Sequence, residues 1–93
     1  MIIKICGITR QEDAAAAAQA GADALGFNFY TGSPRFLRPD QAARIVTEPG
    51  VLRVGVFVDA SPAEVSAAVK TAGLDVVQLH GAERAGDYPR LRA

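Results

Sequence analysis

The chain has 93 residues, enough for one domain with a modest hydrophobic core and hardly for two. Hydrophobic residues make up 49% and charged residues 22%, and ten basic side chains balance ten acidic ones, which argues against a nucleic-acid partner and against an acidic or polybasic tail. One cysteine cannot close an internal disulfide, no run nears the roughly 20 apolar residues of a membrane span, and Arg10, Glu12 and Asp13 cut short any signal-peptide core, so the expectation is a soluble, cytoplasmic protein without a membrane partner.

The first element, Ile2 to Cys6, is apolar and β-branched except at Lys4 and reads as a buried strand. "TRQEDAAAAAQAG" then reads as a helix, with Thr9 as N-cap, Glu12 completing a capping box and Gly21 as the left-handed residue past its end. A second strand is expected over residues 22–29 ("ADALGFNF"), where the glycine marks close packing against a neighbour rather than a phosphate loop. Pro39 opens the helix "PDQAARIV", and Gly50 lies in the turn after it. Residues 52–58 form a third strand. "SPAEVSAAVKTAG" is a fully signalled helix, with Ser61 at N-cap, Pro62 at N1, Glu64 at N3 and Gly73 at its end. Residues 75–79 form a fourth strand, and the tail "AERAGDYPRLRA" is a weak candidate for a further helix because of Gly86 and Pro89.

Strands alternating with helices imply parallel strands joined by crossovers, and near-continuous apolar strands imply cover on both faces. A (β/α)8 barrel and an open doubly wound sheet both fit, and both gather function at the carboxyl ends of the strands. Cys6, Asn28, Asp59 and His80 lie at those ends. Cys6 is either a small buried hydrophobe or a thiolate base or nucleophile. Arg35, in the long loop "YTGSPRFLRP", is either a solvated loop residue or an anion clamp able to grip a carboxylate in a bidentate way. His80 is either structural or a proton-transfer and binding group, and Gln78 shares its side of the strand. Asp59 reads as part of the turn before the Ser61 cap. There is no GxGxxG, P-loop, GxSxG or clustered His/Cys metal set.

"KICGIT", "GADALGFNFYTGSPR", "VGVFV" and "VQLHG", in this order, closely resemble the phosphoribosylanthranilate isomerase family of tryptophan biosynthesis. The resemblance implies an α/β fold in which residues 1–93 are the first half of a (β/α)8 TIM barrel, about four βα units. It implies an Amadori rearrangement of N-(5-phosphoribosyl)anthranilate, a small-molecule sugar phosphate, to the aminodeoxyribulose phosphate. An acid opens the ribose ring to a Schiff base and a base removes the proton from C2. No metal or redox cofactor is implied, because the iminium nitrogen is the electron sink. Carried onto this sequence, Cys6 is the general base, Arg35 holds the anthranilate carboxylate, and Gln78 and His80 contact substrate. The family's general acid, an aspartate beyond strand five, and its phosphate site have no counterpart in these residues, so the 93 residues are expected to be inactive alone. The competing expectation is a non-catalytic half-barrel that assembles with itself or a partner through open sheet edges. An open-sheet receiver module fits less well, since strand one ends in Cys-Gly and not in acidic residues.

Overall fold

The computed structural model describes residues 3–80. Within them the order is β1 (Lys4–Ile5), α1 (Gln11–Gln19), β2 (Ala24–Asn28), α2 (Pro39–Ala43), β3 (Leu52–Val58), α3 (Pro62–Ala72) and β4 (Val76–His80). All four strands run parallel in the order β1-β2-β3-β4, so every neighbour in the sheet is also the next strand in the chain. Steady progression in one direction, with a helix in each crossover, is the arrangement of a barrel wall; an open doubly wound sheet reverses direction. The fold is the first half of a (β/α)8 barrel.

The register assigns the two faces. Leu25 pairs with Arg53, and Phe27 with Gly55 and Val77, so the odd-numbered positions of β2, β3 and β4 share one face. That face meets the helices. Leu25 and Phe27 are fully buried there, together with Phe57, and pack against Ala14 and Ala17 of α1, Ala42 of α2, and Val65, Ala68 and Ala72 of α3. Gly55 has no Cβ because the Leu74 side chain occupies that space. The even-numbered positions, Lys4 and Cys6 beside Ala24, Gly26, Asn28, Val54, Val56, Val76 and Gln78, lie on the concave side.

One device appears twice. Gly21 and Gly73 both adopt left-handed backbone where α1 and α3 end. Each is followed by a buried apolar residue, Ala22 or Leu74, and then by an aspartate. The Asp23 carboxylate accepts from the Ile3 N–H at 2.8 Å, and the Asp23 N–H donates to the Ile3 carbonyl at 2.7 Å. Asp75 and Arg53 repeat both bonds at 2.9 and 2.8 Å. Gly-x-Asp thus stops a helix, turns the chain, and locks the incoming strand to the one before the helix. For this reason β2 and β4 begin later than the apolar run does, at Ala24 and Val76.

Three expectations are corrected. Among the described residues strand one is Lys4–Ile5 and stops short of the expected end at Cys6, because Cys6 and Gly7 leave the regular ladder. The α1 N-cap is Arg10, not Thr9; the Arg10 side chain makes no cap bond and reaches forward to Asp13 at 3.2 Å instead. Helix α2 ends at Ala43, short of the expected "RIV". The Ser61 box, by contrast, forms in full: Ser61 Oγ accepts from the Glu64 N–H at 3.1 Å and Glu64 Oε1 from the Ser61 N–H at 3.4 Å. Asp59 sits in the turn before it with a left-handed φ of 51°. The tail considered for a further helix lies outside the described residues. Among the described residues no helix is long and apolar enough to cross a membrane.

Arg53, which nothing local in the sequence singles out, joins the layers. Its guanidinium donates to the carbonyls of Ala72 (3.0 Å), Ile45 (2.8 Å) and Ala42 (2.7 Å), while its carbon lies 4.9 Å from the Phe27 ring centroid. Carbonyls at and just past the carboxyl ends of α2 and α3 thus receive a cation where the helix dipole favours one. Burial pulls the Arg53 pKa down and the Asp75 carboxylate offsets part of that. Arg53→Met should cost about 3 kcal/mol in urea denaturation, because half-buried carbonyls lose charged donors. Arg53→Lys should recover only part of it, since an ammonium lacks the planar fork. A loss below about 0.5 kcal/mol, the range of ordinary surface changes, would contradict this role.

Candidate active site

The site is built where β1 ends. Beyond the Ile5–Leu25 pair the register sets Cys6 beside Gly26. A Cβ on Gly26 would lie 3.1 Å from the Cys6 Sγ and 3.3 Å from its Cα, so any larger residue would push Cys6 back by a few tenths of an ångström. The Gly26 carbonyl accepts from both the Gly7 and Ile8 N–H groups, at 3.0 and 3.1 Å. Gly7, with φ of 80°, turns the chain there and sends Ile8 into the core at 4% exposure. Cys6 itself is exposed among the described residues.

Arg35 comes to the same point from the loop between β2 and α2. That loop folds back on its own strand. Leu37 donates its N–H to the Asn28 carbonyl at 2.8 Å, and Phe36 forms an isolated parallel bridge with Asn28. Ser33 Oγ accepts from the Asn28 side-chain amide at 3.3 Å and from the Arg35 N–H at 3.1 Å. The Arg35 side chain then crosses to β1, where Nη1 donates to the Gly7 carbonyl at 3.4 Å. A Cβ on Gly7 would meet the Arg35 Cγ at 3.4 Å, so the stem of the arginine lies against the glycine. Residues 28 positions apart in sequence thereby become neighbours, and both Cys6 and Arg35 line a cavity of about 520 Å3. Ala16 and Ala17 of α1 also line it. This cavity runs along the open side of β1.

Gln78, half-buried on the concave side of β4, is tied to β1 by a hydrogen bond from the Lys4 ammonium. His80 closes β4 opposite Val58 of β3. Cys6 and Arg35 are thus brought together directly, and Gln78 is joined to their strand through Lys4. Lys4 is not among the candidates that the sequence singles out. The available signal is its spacing of two from Cys6, which places both on one strand face. Among the described residues no group of three His, Cys, Asp or Glu side chains could hold a metal ion.

An exposed thiol and a guanidinium at one carboxyl-terminal strand end suit proton abstraction beside a bound anion. The protein from Solibacter usitatus named N-(5′-phosphoribosyl)anthranilate isomerase is 60% identical over 89 residues, covering 96% of this chain and 44% of its own length. A crystal structure of phosphoribosyl anthranilate isomerase in complex with reduced 1-(o-carboxyphenylamino)-1-deoxyribulose 5-phosphate superposes with a TM-score of 0.88 at 45% identity, over 92% of this chain and 46% of that one. The Thermus thermophilus enzyme gives 0.87 at 46% identity, over 96% and 49%. The chain therefore spans less than half the length of the relatives it matches. The family model for N-(5′-phosphoribosyl)anthranilate isomerase matches residues 3–92, and the chain belongs to that family.

Proposed function

We propose that these residues supply the base and the carboxylate-binding half of a phosphoribosylanthranilate isomerase site, acting on a sugar-phosphate substrate in the cytoplasm. The observation that carries the reading is the exposed Cys6 thiol at the mouth-side end of β1, with Arg35 packed over the adjoining Gly7. As thiolate, Cys6 takes the proton from ribose C2 of the ring-opened Schiff base. The C–H electron pair becomes the C1–C2 double bond, and the iminium electrons return to nitrogen. The enolamine then gains a proton at C1 and loses one from its C2 hydroxyl, leaving the ketone. Arg35 holds the anthranilate carboxylate, while Gln78 and His80 contact the substrate from β4. By family resemblance, the acid that opens the ring and the phosphate cradle come from the other half of the barrel.

In the intact protein, Cys6→Ser should lower kcat by about 10²–10⁴-fold, the usual contribution of a general base, and leave substrate binding largely unchanged. Fluorescence loss of the anthranilate-linked substrate reads both. Near-normal turnover would overturn the assignment. Arg35→Ala should raise KM more than it lowers kcat, because a carboxylate remote from C2 is bound about equally in the ground and transition states. An unchanged KM would make Arg35 an ordinary loop residue.

The second reading, a half-barrel that assembles with itself or a partner, draws on the exposed apolar residues. Ile3 and Ile5 at the β1 edge are 43% and 40% exposed, and Leu52 and Val76 are 40% and 37% exposed. Two outer strands also present open backbone edges among the described residues. A polypeptide of these 93 residues alone should elute as an associated species on sizing chromatography and show no isomerase activity. A monodisperse, active monomer would refute the division of the site between two barrel halves.

A further inference from the structure

The loop that carries Arg35 turns twice about Ser33. The Ser33 N–H donates to the Tyr30 carbonyl at 3.0 Å, and the Ser33 carbonyl accepts from the Phe36 N–H at 3.2 Å. The second bond closes the turn Ser33-Pro34-Arg35-Phe36, with serine at the first position and proline at the second, where its fixed φ belongs. Arg35 stands third, without the positive φ that a type II turn demands there. The closing bond uses the Phe36 N–H, so the Arg35 N–H needs another acceptor, and Ser33 Oγ supplies it at 3.1 Å. A hydroxyl oxygen has two lone pairs, and the same Oγ also accepts from the Asn28 side-chain amide at 3.3 Å. Asn28 ends β2 on the concave side, two positions past the Gly26 that abuts Cys6. One oxygen thus ties the Arg35 backbone to the strand on which Cys6 rests. The Arg35 side chain is exposed and its bond from Nη1 to the Gly7 carbonyl is long, 3.4 Å, so the backbone must set the point from which the guanidinium reaches out. Both turns, the Leu37 bond to the Asn28 carbonyl and the packing of the Tyr30 ring on Gly32 use no atom of the Ser33 hydroxyl. Removing it frees the Arg35 peptide and leaves the course of the loop in place.

We propose that Ser33 is a positioning residue: its hydroxyl oxygen locks the Arg35 peptide to Asn28, so that the guanidinium is held in place for the substrate carboxylate beside Cys6. This rests on the isomerase reading above. Ser33 acts through Arg35 and takes no part in proton transfer. Without the hydroxyl, Arg35 must be ordered when substrate binds, and that cost appears in binding and not in the chemical step.

The test is a double-mutant cycle in the intact protein, read by steady-state kinetics with N-(5-phosphoribosyl)anthranilate. Ser33→Ala should raise KM about fivefold, the size of one neutral hydrogen bond, with kcat changed much less. Ser33→Thr keeps the oxygen and should hold KM near the wild-type value. Adding Ser33→Ala to Arg35→Ala should change nothing more. Two inhibitors separate this role from a merely structural one. Reduced 1-(o-carboxyphenylamino)-1-deoxyribulose 5-phosphate should bind Ser33→Ala more weakly than wild type by the same factor as KM rises, whereas its counterpart without the carboxylate should bind both equally. An unchanged KM in Ser33→Ala, additive effects with Arg35→Ala, or equal weakening of the two inhibitors would overturn the proposal. A further measurement does not depend on turnover: hydrogen exchange at the Arg35 N–H should be faster in Ser33→Ala and near wild type in Ser33→Thr, with the Leu37 N–H unchanged in both. An Arg35 N–H indifferent to Ser33→Ala, or one that exchanges faster only together with Leu37, would overturn the positioning role even in an active protein. An inactive wild type whose Arg35 N–H alone depends on the hydroxyl would overturn the isomerase reading and leave the lock on Arg35 supported.

Discussion

The place of the Cys6 thiol depends on Gly26. Its carbonyl takes the N–H groups of Gly7 and Ile8, and its missing side chain leaves room for Sγ and Cα of Cys6. The two facts act together. The carbonyl bends the chain out of the strand immediately after Cys6, and the close approach keeps Cys6 against β2 while the chain bends. A methyl at position 26 would sit 3.1 Å from the sulfur, a tight contact that would push the two strands apart by a few tenths of an ångström. With Cys6 held in this way, Gly7 can take its positive φ, Ile8 can fill the core, and the Gly7 carbonyl is presented to Arg35.

The rest of the fold serves that arrangement by fixing β1 and β2 at both ends. At the amino-terminal end, Asp23 pairs with the backbone of Ile3 through two bonds, and Asp75 does the same for Arg53 one unit later. On the helix side, Arg53 ties the ends of α2 and α3 to β3 while lying over Phe27. At the carboxyl-terminal end, Asn28 gathers the β2–α2 loop through its carbonyl and amide, which sets where Arg35 emerges. A short first strand is thereby held in place: its few ladder bonds are supplemented by contacts from residues far away in the sequence.

Much of this is legible in the sequence because the signals are local. Ser61, Pro62, Glu64 and Gly73 specify α3 through contacts no more than a few residues apart, and the structure forms each of them. The glycine of "ALGFNF" is a point of close packing, as its setting between apolar residues implies. The failures occur where a distant partner decides. The α1 cap falls at Arg10, one residue past Thr9, and β1 ends before Cys6, where Gly7 and Ile8 turn their N–H groups to the Gly26 carbonyl. Arg53 and Lys4 look like interruptions in apolar strands; their partners, Ala42, Ala72 and Gln78, lie on other elements, and no local pattern announces them. Cys6 cannot be assigned as buried or exposed from one strand, because its exposure depends on which face the concave side proves to be.

The central claim, that the exposed Cys6 thiol is the working group of a sugar-phosphate isomerase, is tested most directly by alkylating the intact protein with iodoacetamide while following turnover and modification together. The account predicts labelling at Cys6, with activity falling in proportion to the labelling of that residue and with both slowed by reduced 1-(o-carboxyphenylamino)-1-deoxyribulose 5-phosphate. Complete modification of Cys6 with turnover unchanged would contradict it.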